Sequence, residues 1–103
     1  MRWGEICWYR FQPPDKKRPV LILTRTSALE YLGEVTVAPI TSTIRDIPSE
    51  VRLSKADGMD VDCAVNCDHI QTVSRARIGP AITLLSGDVM EQVRKAVLFA
   101  LNL

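Results

Sequence analysis

Histidine occurs once, at His69. A single imidazole excludes any mechanism in which two histidines divide the acid and base roles, and no Ser-His-Asp arrangement is evident from order or spacing. Glycine is sparse, five in 103 residues, and no glycine-rich loop is present to cradle a phosphate. The dinucleotide fingerprint and the Gly-Lys-Ser/Thr nucleotide motif are both missing. No apolar run reaches the roughly 18 to 20 residues of a membrane-spanning helix. The opening "MRWGEICWYR" is charged and aromatic where a secretion signal needs an apolar stretch. The expected location is therefore the cytoplasm, with no membrane partner. Three cysteines, an odd number, fit reduced thiols better than a disulfide framework. A large charge imbalance is also lacking. Thirteen cationic side chains against twelve acidic ones leave +1, which excludes a broadly cationic nucleic-acid coat but not a local basic patch.

What remains is a chain of one-domain size, spanning 1–103, with 47% hydrophobic residues to build a small core. A core of that size gains from association into an oligomer. "RWGEICWYRF" alternates as a strand, and "QPPDKK" reads as a turn. "PVLIL" is a short continuous apolar run, expected to be a strand covered on both faces. "TSALEYL" suits one or two helical turns with Thr26 or Ser27 as N-cap. "EVTVAPI" is a β-branched strand with Pro39 near its end. "SEVRLS" is a short alternating strand, "KADGMD" a turn at Gly58, and "CAVNCDHIQTV" a fifth strand. "RARIGPAI" reads as a last short strand broken by Gly79 and Pro80. In "SGDVMEQVRKAVLFALNL", Val89, Val93, Ala96, Val97 and Ala100 fall at helical spacing, with Ser86 as N-cap and Asp88 at the positive end of the dipole. Many short strands and a closing helix predict a mainly β fold, a small antiparallel barrel or half-barrel with a helix packed on it.

Few side chains in this frame carry chemistry. Cys63, Cys67 and His69 differ by even steps, so one continuous strand would put them on one side. A soft metal site is one interpretation; small core residues is the better one, because no fourth ligand is at hand. Trp3 and Trp8 suit either base stacking or core and interface bulk, with the second favoured for each. The stretch "KKRPVLILT" sets three cations, Lys16, Lys17 and Arg18, at the lip of a core strand. Pro19 restricts Arg18 to an extended backbone, and a guanidinium can grip a phosphate through two parallel hydrogen bonds. On composition alone Arg18 would be an exposed edge residue. A second loop, "TSTIR", offers the hydroxyls of Thr41, Ser42 and Thr43, followed by Arg45. A cationic loop and a hydroxyl-rich loop at strand ends are what a phosphodiester site requires.

Five segments in order resemble the MazF/PemK family of toxin ribonucleases from bacterial toxin–antitoxin pairs. They are "WGEICW", "RPVLIL", "VTVAPITSTIR", "SEVRL" and "CAVNCDHIQTVSRARIG", followed by the amphipathic helix. The resemblance runs almost from end to end. It implies an SH3-like barrel, a homodimer with RNA crossing a groove between subunits, and a cognate antitoxin whose acidic or apolar tail covers that groove. It further implies metal- and cofactor-independent, sequence-selective cleavage of single-stranded RNA, including messenger RNA, leaving a cyclic phosphate and a free 5′-hydroxyl. The family's catalytic arginine and threonine fall on Arg18 and Thr41. Lys16, Lys17, Ser42, Thr43, Arg45, Asp68, His69 and Gln71 are the expected RNA-binding or supporting residues. Asp68 has two roles open to it: orienting Arg18 or the nucleophile, or pairing with Arg75 or Arg77 at a strand end.

The chain departs from the family pattern in places. The loop before Arg18 is short and carries Lys16 and Lys17, Gln71 stands where many members have arginine, and His69 where many have glutamine. These changes touch RNA contacts more than the chemistry and leave the recognised RNA sequence unreadable by analogy. Two alternatives share the scaffold: a gyrase poison of the CcdB type and an inactive RNA-binding relative. The first relies on a tryptophan near the C-terminus, whereas this chain ends "FALNL" with both tryptophans near the start. Arg18 and Thr41 together argue against the second.

Overall fold

The computed structural model describes residues 1–12 and 16–103. The turn expected at "QPPDKK" centres on residues 13–15 and so lies outside the described residues. Seven strands and one α-helix follow in the order β1 (Glu5–Arg10), β2 (Lys17–Ile22), β3 (Glu34–Thr41), β4 (Glu50–Leu53), β5 (Cys63–Asn66), β6 (Gln71–Ser74), β7 (Ile78–Leu84) and α1 (Gly87–Leu101). All the strand pairings are antiparallel. The strand order is β4-β5-β3-β2-β1-β7, with β6 also paired to β3. This is the mainly β fold with a closing helix that the alternation predicts. Strand β3 bends the sheet: Glu34 to Val37 pair with β6, Val37 to Pro39 pair with β2, and Ile40 and Thr41 at its end pair with Val65 and Ala64 of β5.

The central strands are covered on both faces, as "PVLIL" requires. Leu21 belongs to a core with Ile6, Ile40, Leu53, Val65 and the helix residues Met90, Val93 and Ala96. Val20 and Ile22 point the other way, into a second core with Cys7, Tyr9, Leu29, Val35, Val37 and Val73. Burying Val20, Leu21 and Ile22 stabilises the chain by about 1.5 to 3 kcal/mol each. The helix starts where expected, with Ser86 Oγ accepting from the Val89 N–H, and ends at Asn102 in a left-handed conformation. Val93 and Ala96 are buried as expected, Val89, Val97 and Ala100 pack half-buried against the same core, and Met90 is a further buried residue of that face.

Four expectations are corrected. The fifth strand is not continuous: a 3-10 turn, Cys67–His69, separates β5 from β6 and cancels the even-step argument for His69. Cys63 and Cys67 are both core residues, while His69 is exposed. Neither Thr26 nor Ser27 caps the turn at Thr26–Ala28, where Arg25 is the N-cap residue and makes no side-chain cap bond. Thr26 Oγ1 instead accepts from the Trp3 N–H at 3.0 Å. Gly79 and Pro80 do not break β7; register shifts against β1 absorb them, and an edge strand tolerates a residue without an N–H. Finally, only the core half of the core-or-interface expectation for the tryptophans fails: Trp3 is 45% and Trp8 38% exposed, which leaves the interface half standing.

Candidate RNA-cleavage site

The pairing of β2 with β3 sets the site. Its register runs Ile22↔Val37, Leu21↔Ala38, Val20↔Pro39 and stops there. Continued by two residues, the same register places Arg18 opposite Thr41, and opposite residues of an antiparallel pair present their side chains on one face. The ladder does not close over that distance. Pro19 has no N–H to donate, and β3 has turned away to pair with β5. The gap is a cleft of about 190 Å³ lined by Arg18, Pro19, Ile40, Thr41, Ser42, Met59, Val61 and Cys63. Arg18 and Thr41, 23 positions apart in "RPVLILTRTSALEYLGEVTVAPIT", are thus brought together by the end of one strand pair.

Within the cleft each group has a defined state. Arg18 is exposed, and no ion pair to it forms among the described residues, so its guanidinium is available to an anion. Thr41 Oγ1 accepts a hydrogen bond from the Thr43 N–H at 3.1 Å, which leaves the hydroxyl hydrogen to donate. Such a chain polarises the hydroxyl as a donor. Cys63 forms part of the floor. Burial first, then Asp62 and Asp57, push its thiol above the ordinary range, so it stays protonated at neutral pH and makes a poor nucleophile.

The other sequence candidates scatter around this centre. Ser42 lines the cleft. Thr43 contributes its N–H to Thr41 and is otherwise exposed. Arg45 is held back toward β4: its N–H donates to Glu50 Oε1 at 2.8 Å, and its Nη1 stands 3.5 Å from Glu50 Oε2. Asp68 touches neither Arg18 nor Arg75 and Arg77 among the described residues. Its Oδ2 accepts from Ser49 Oγ at 2.5 Å, and its N–H donates to Asn66 Oδ1 at 3.1 Å. His69 and Gln71 are exposed and line neither this cleft nor the larger one described next. Lys16 is exposed at the lip.

Lys17 goes elsewhere. Alternation along β2 turns it away from Arg18, and its partner in β1 is Arg10. There it lines a larger cleft of about 350 Å³ with Trp8, Arg10, Ala76, Arg77, Ile78, Gly79 and Pro80. Arg77 Nη1 donates to the Arg10 carbonyl at 3.4 Å. Sequence reasoning favoured core or interface bulk over base stacking for Trp8 and left Arg10 out. The signal was the strict alternation of Trp8 and Arg10 on one face of β1, opposite Pro19 and Lys17. Of the three consecutive cations, Arg18 therefore lines one cleft and Lys17 the other, while Lys16 lines neither.

A family profile described as PemK-like, MazF-like toxin of type II toxin-antitoxin system matches residues 2–101. The chain belongs to that family. It is 44% identical over 71 residues to endoribonuclease MazF3 of Mycobacterium tuberculosis, an overlap that covers 69% of each chain. Its fold matches the solved structure of the M. tuberculosis toxin MazF-mt6 with a TM-score of 0.89 at 35% identity, covering 96% of this chain and 97% of the other. It also matches the MazE-MazF structure from Deinococcus radiodurans, with a TM-score of 0.85 at 25% identity, covering 100% and 97%. The MazF/PemK family thus supplies both the toxin class and the barrel that the five sequence segments imply.

Proposed function

We propose that this MazF-family toxin is an endoribonuclease that cleaves single-stranded RNA in the Arg18–Thr41 cleft. The observation that carries the reading is the convergence, on one cleft at the open end of β2 and β3, of a polarised hydroxyl and a guanidinium that forms no ion pair among the described residues. The nucleophile is the substrate's own ribose 2′-hydroxyl. It attacks the adjacent phosphorus, the bond to the 5′-oxygen breaks, and the products are a 2′,3′-cyclic phosphate and a 5′-hydroxyl. One proton leaves the 2′-oxygen and one reaches the departing 5′-oxygen. The protein's task is to hold the phosphate in line and to stabilise the charge that builds on its non-bridging oxygens. Preorganised donors typically contribute about 3 to 4 kcal/mol each at such a centre. Arg18 grips two of those oxygens and Thr41 donates to the third or aligns the nucleophile. The larger cleft, with Trp8 beside Arg10, Lys17 and Arg77, suits a stacked base and its flanking phosphates.

The same reading takes the toxin as a cytoplasmic homodimer neutralised by a small antitoxin. The MazE-MazF assembly of the Deinococcus relative supports the antitoxin partner. No described helix is long and apolar enough to cross a membrane. The test is to incubate purified protein with a long single-stranded RNA in excess EDTA and to map the ends. Discrete cuts bearing cyclic phosphate and 5′-hydroxyl termini are expected. Cutting that appears only after magnesium is added would overturn the mechanism.

A further inference from the structure

Glu50, the first residue of β4, carries a side chain that is 1% exposed. Its Oε1 accepts from the Arg45 backbone N–H at 2.8 Å. Its Oε2 is fully buried without a hydrogen-bond partner among the described residues, facing Arg45 Nη1 at 3.5 Å. A buried carboxylate with an unsatisfied oxygen is costly, and nothing about strand formation requires one there. What the carboxylate does is grip a backbone. The residue after Arg45, Asp46, has a φ of +53°, a left-handed conformation that few residues other than glycine, asparagine and aspartate adopt. Asp46 Oδ1 is held in turn by Arg52 Nη1 at 3.4 Å. Ser49 completes the anchor, with its Oγ on Asp68 and its carbonyl accepting from the Cys67 N–H at 3.0 Å.

The strap from Thr41 to Arg45 is thereby fixed at both ends. Thr41 is held by pairing with Ala64 of β5, and Arg45 by Glu50. Between them lies the Thr43 N–H that polarises Thr41. We propose that Glu50 is a positioning residue, clasping the far end of the hydroxyl strap so that the Thr43 N–H and the Thr41 hydroxyl keep their geometry in the cleft. This rests on the endonuclease reading for its consequence in catalysis, but not for its consequence in the strap.

Two measurements test it on the whole protein. Amide hydrogen exchange at Thr43 and Arg45 is to accelerate at least tenfold in Glu50→Ala and in Glu50→Asp, which keeps the charge but loses the reach. It is to stay near wild type in Glu50→Gln, whose amide oxygen still accepts from Arg45. This arm stands even if the wild-type protein cuts no RNA, an outcome that would sink the endonuclease reading alone. With RNA cleavage as readout, kcat of Glu50→Ala is to fall at least tenfold with KM within threefold, and Glu50→Gln is to recover most of it. In a Thr41→Ala background the Glu50→Ala change is to cost less than threefold, because residues acting as one unit are not additive. If Glu50→Ala does not fold, Glu50→Asp and Glu50→Gln carry the comparison. Unchanged exchange at Thr43, full activity in Glu50→Ala, equal losses in Asp and Gln variants, or an undiminished loss beside Thr41→Ala would each overturn the proposal.

Discussion

Arg18 is the side chain whose removal separates chemistry from folding. It is exposed, lies at the strand lip and forms no ion pair among the described residues, so truncating it leaves no buried group unsatisfied. Arg18→Ala is expected to lower kcat about 1,000-fold, the scale of losing a preorganised donor to developing charge. Stability should stay within about 0.5 kcal/mol, as for other surface changes away from special features. Arg18→Lys should recover little, because an ammonium cannot present the paired fork that spans two phosphate oxygens. The check is single-turnover cleavage of an RNA oligonucleotide beside a urea melt of each variant. Cleavage by Arg18→Ala at the wild-type rate would remove Arg18 from the catalytic role. Thr41 differs in kind: it is half-buried and wired to Thr43, so its geometry depends on the strap as well as on its own identity.

Among the elements, the turn between β4 and β5 shows how much local sequence decides. Ser54 and Asp57 cap the 3-10 turn Lys55–Asp57 reciprocally, and Gly58 follows at φ +96°. A Cβ at Gly58 would also collide with the Thr83 side chain of β7, whose hydroxyl is bonded to the Asp57 carbonyl at 3.0 Å. Gly58→Ala therefore combines a strained φ with a clash, and a loss of more than about 2 kcal/mol is expected in denaturant unfolding. A neutral result would show that this turn can relax. "KADGMD" announced that turn from sequence because its determinants are local. The same holds for the Ser86 cap and for β2, where the length and continuity of "PVLIL" suit a doubly covered strand. Features set by distant contacts were not legible. "CAVNCDHIQTV" alternates like one strand, yet the Asn66 side chain accepts from the Asp68 N–H and a tight turn forms in its middle. Trp8 resembles core bulk in any one-dimensional pattern; only the pairing of β1 with β2 and β7 shows it walling a cleft. Arg18 stood out by its place before Pro19 and Thr41 by its hydroxyl-rich loop, and the resemblance supplied their catalytic roles, whereas their convergence follows from a register that no sequence prints. Glu50 was invisible because a glutamate opening a short alternating strand reads as a surface residue.

On the scale of the whole molecule, the two cores on either side of the sheet are each sealed around thiols. Cys7 lies in one, and Cys63 and Cys67 lie in the other. Burial, with Glu5 adding to it, pushes the Cys7 thiol up to about 12, and burial with Asp68 pushes Cys67 up to about 11. In the unfolded chain both return to about 8.5 to 9. Below that range neither state ionises and the thiols add nothing to the pH dependence. Above it the unfolded state loses protons that the folded state keeps, so stability falls as pH rises, and goes on falling until the folded thiols ionise. Each thiol contributes a slope of up to about 1.4 kcal/mol per pH unit. From pH 9 to pH 10 the two together are expected to remove about 2 kcal/mol, a large share of a typical domain's 5 to 15. Urea unfolding at pH 7, 9 and 10 measures this directly, and the double variant Cys7→Ala, Cys67→Ala isolates it from lysine and tyrosine titration. That variant should be less stable at pH 7, having lost core volume, but its stability should decline less steeply between pH 9 and 10. Parallel decline in the two proteins would mean that the thiols ionise freely in the folded state. The cores would then be open to water where the β-sheet and helix are expected to exclude it.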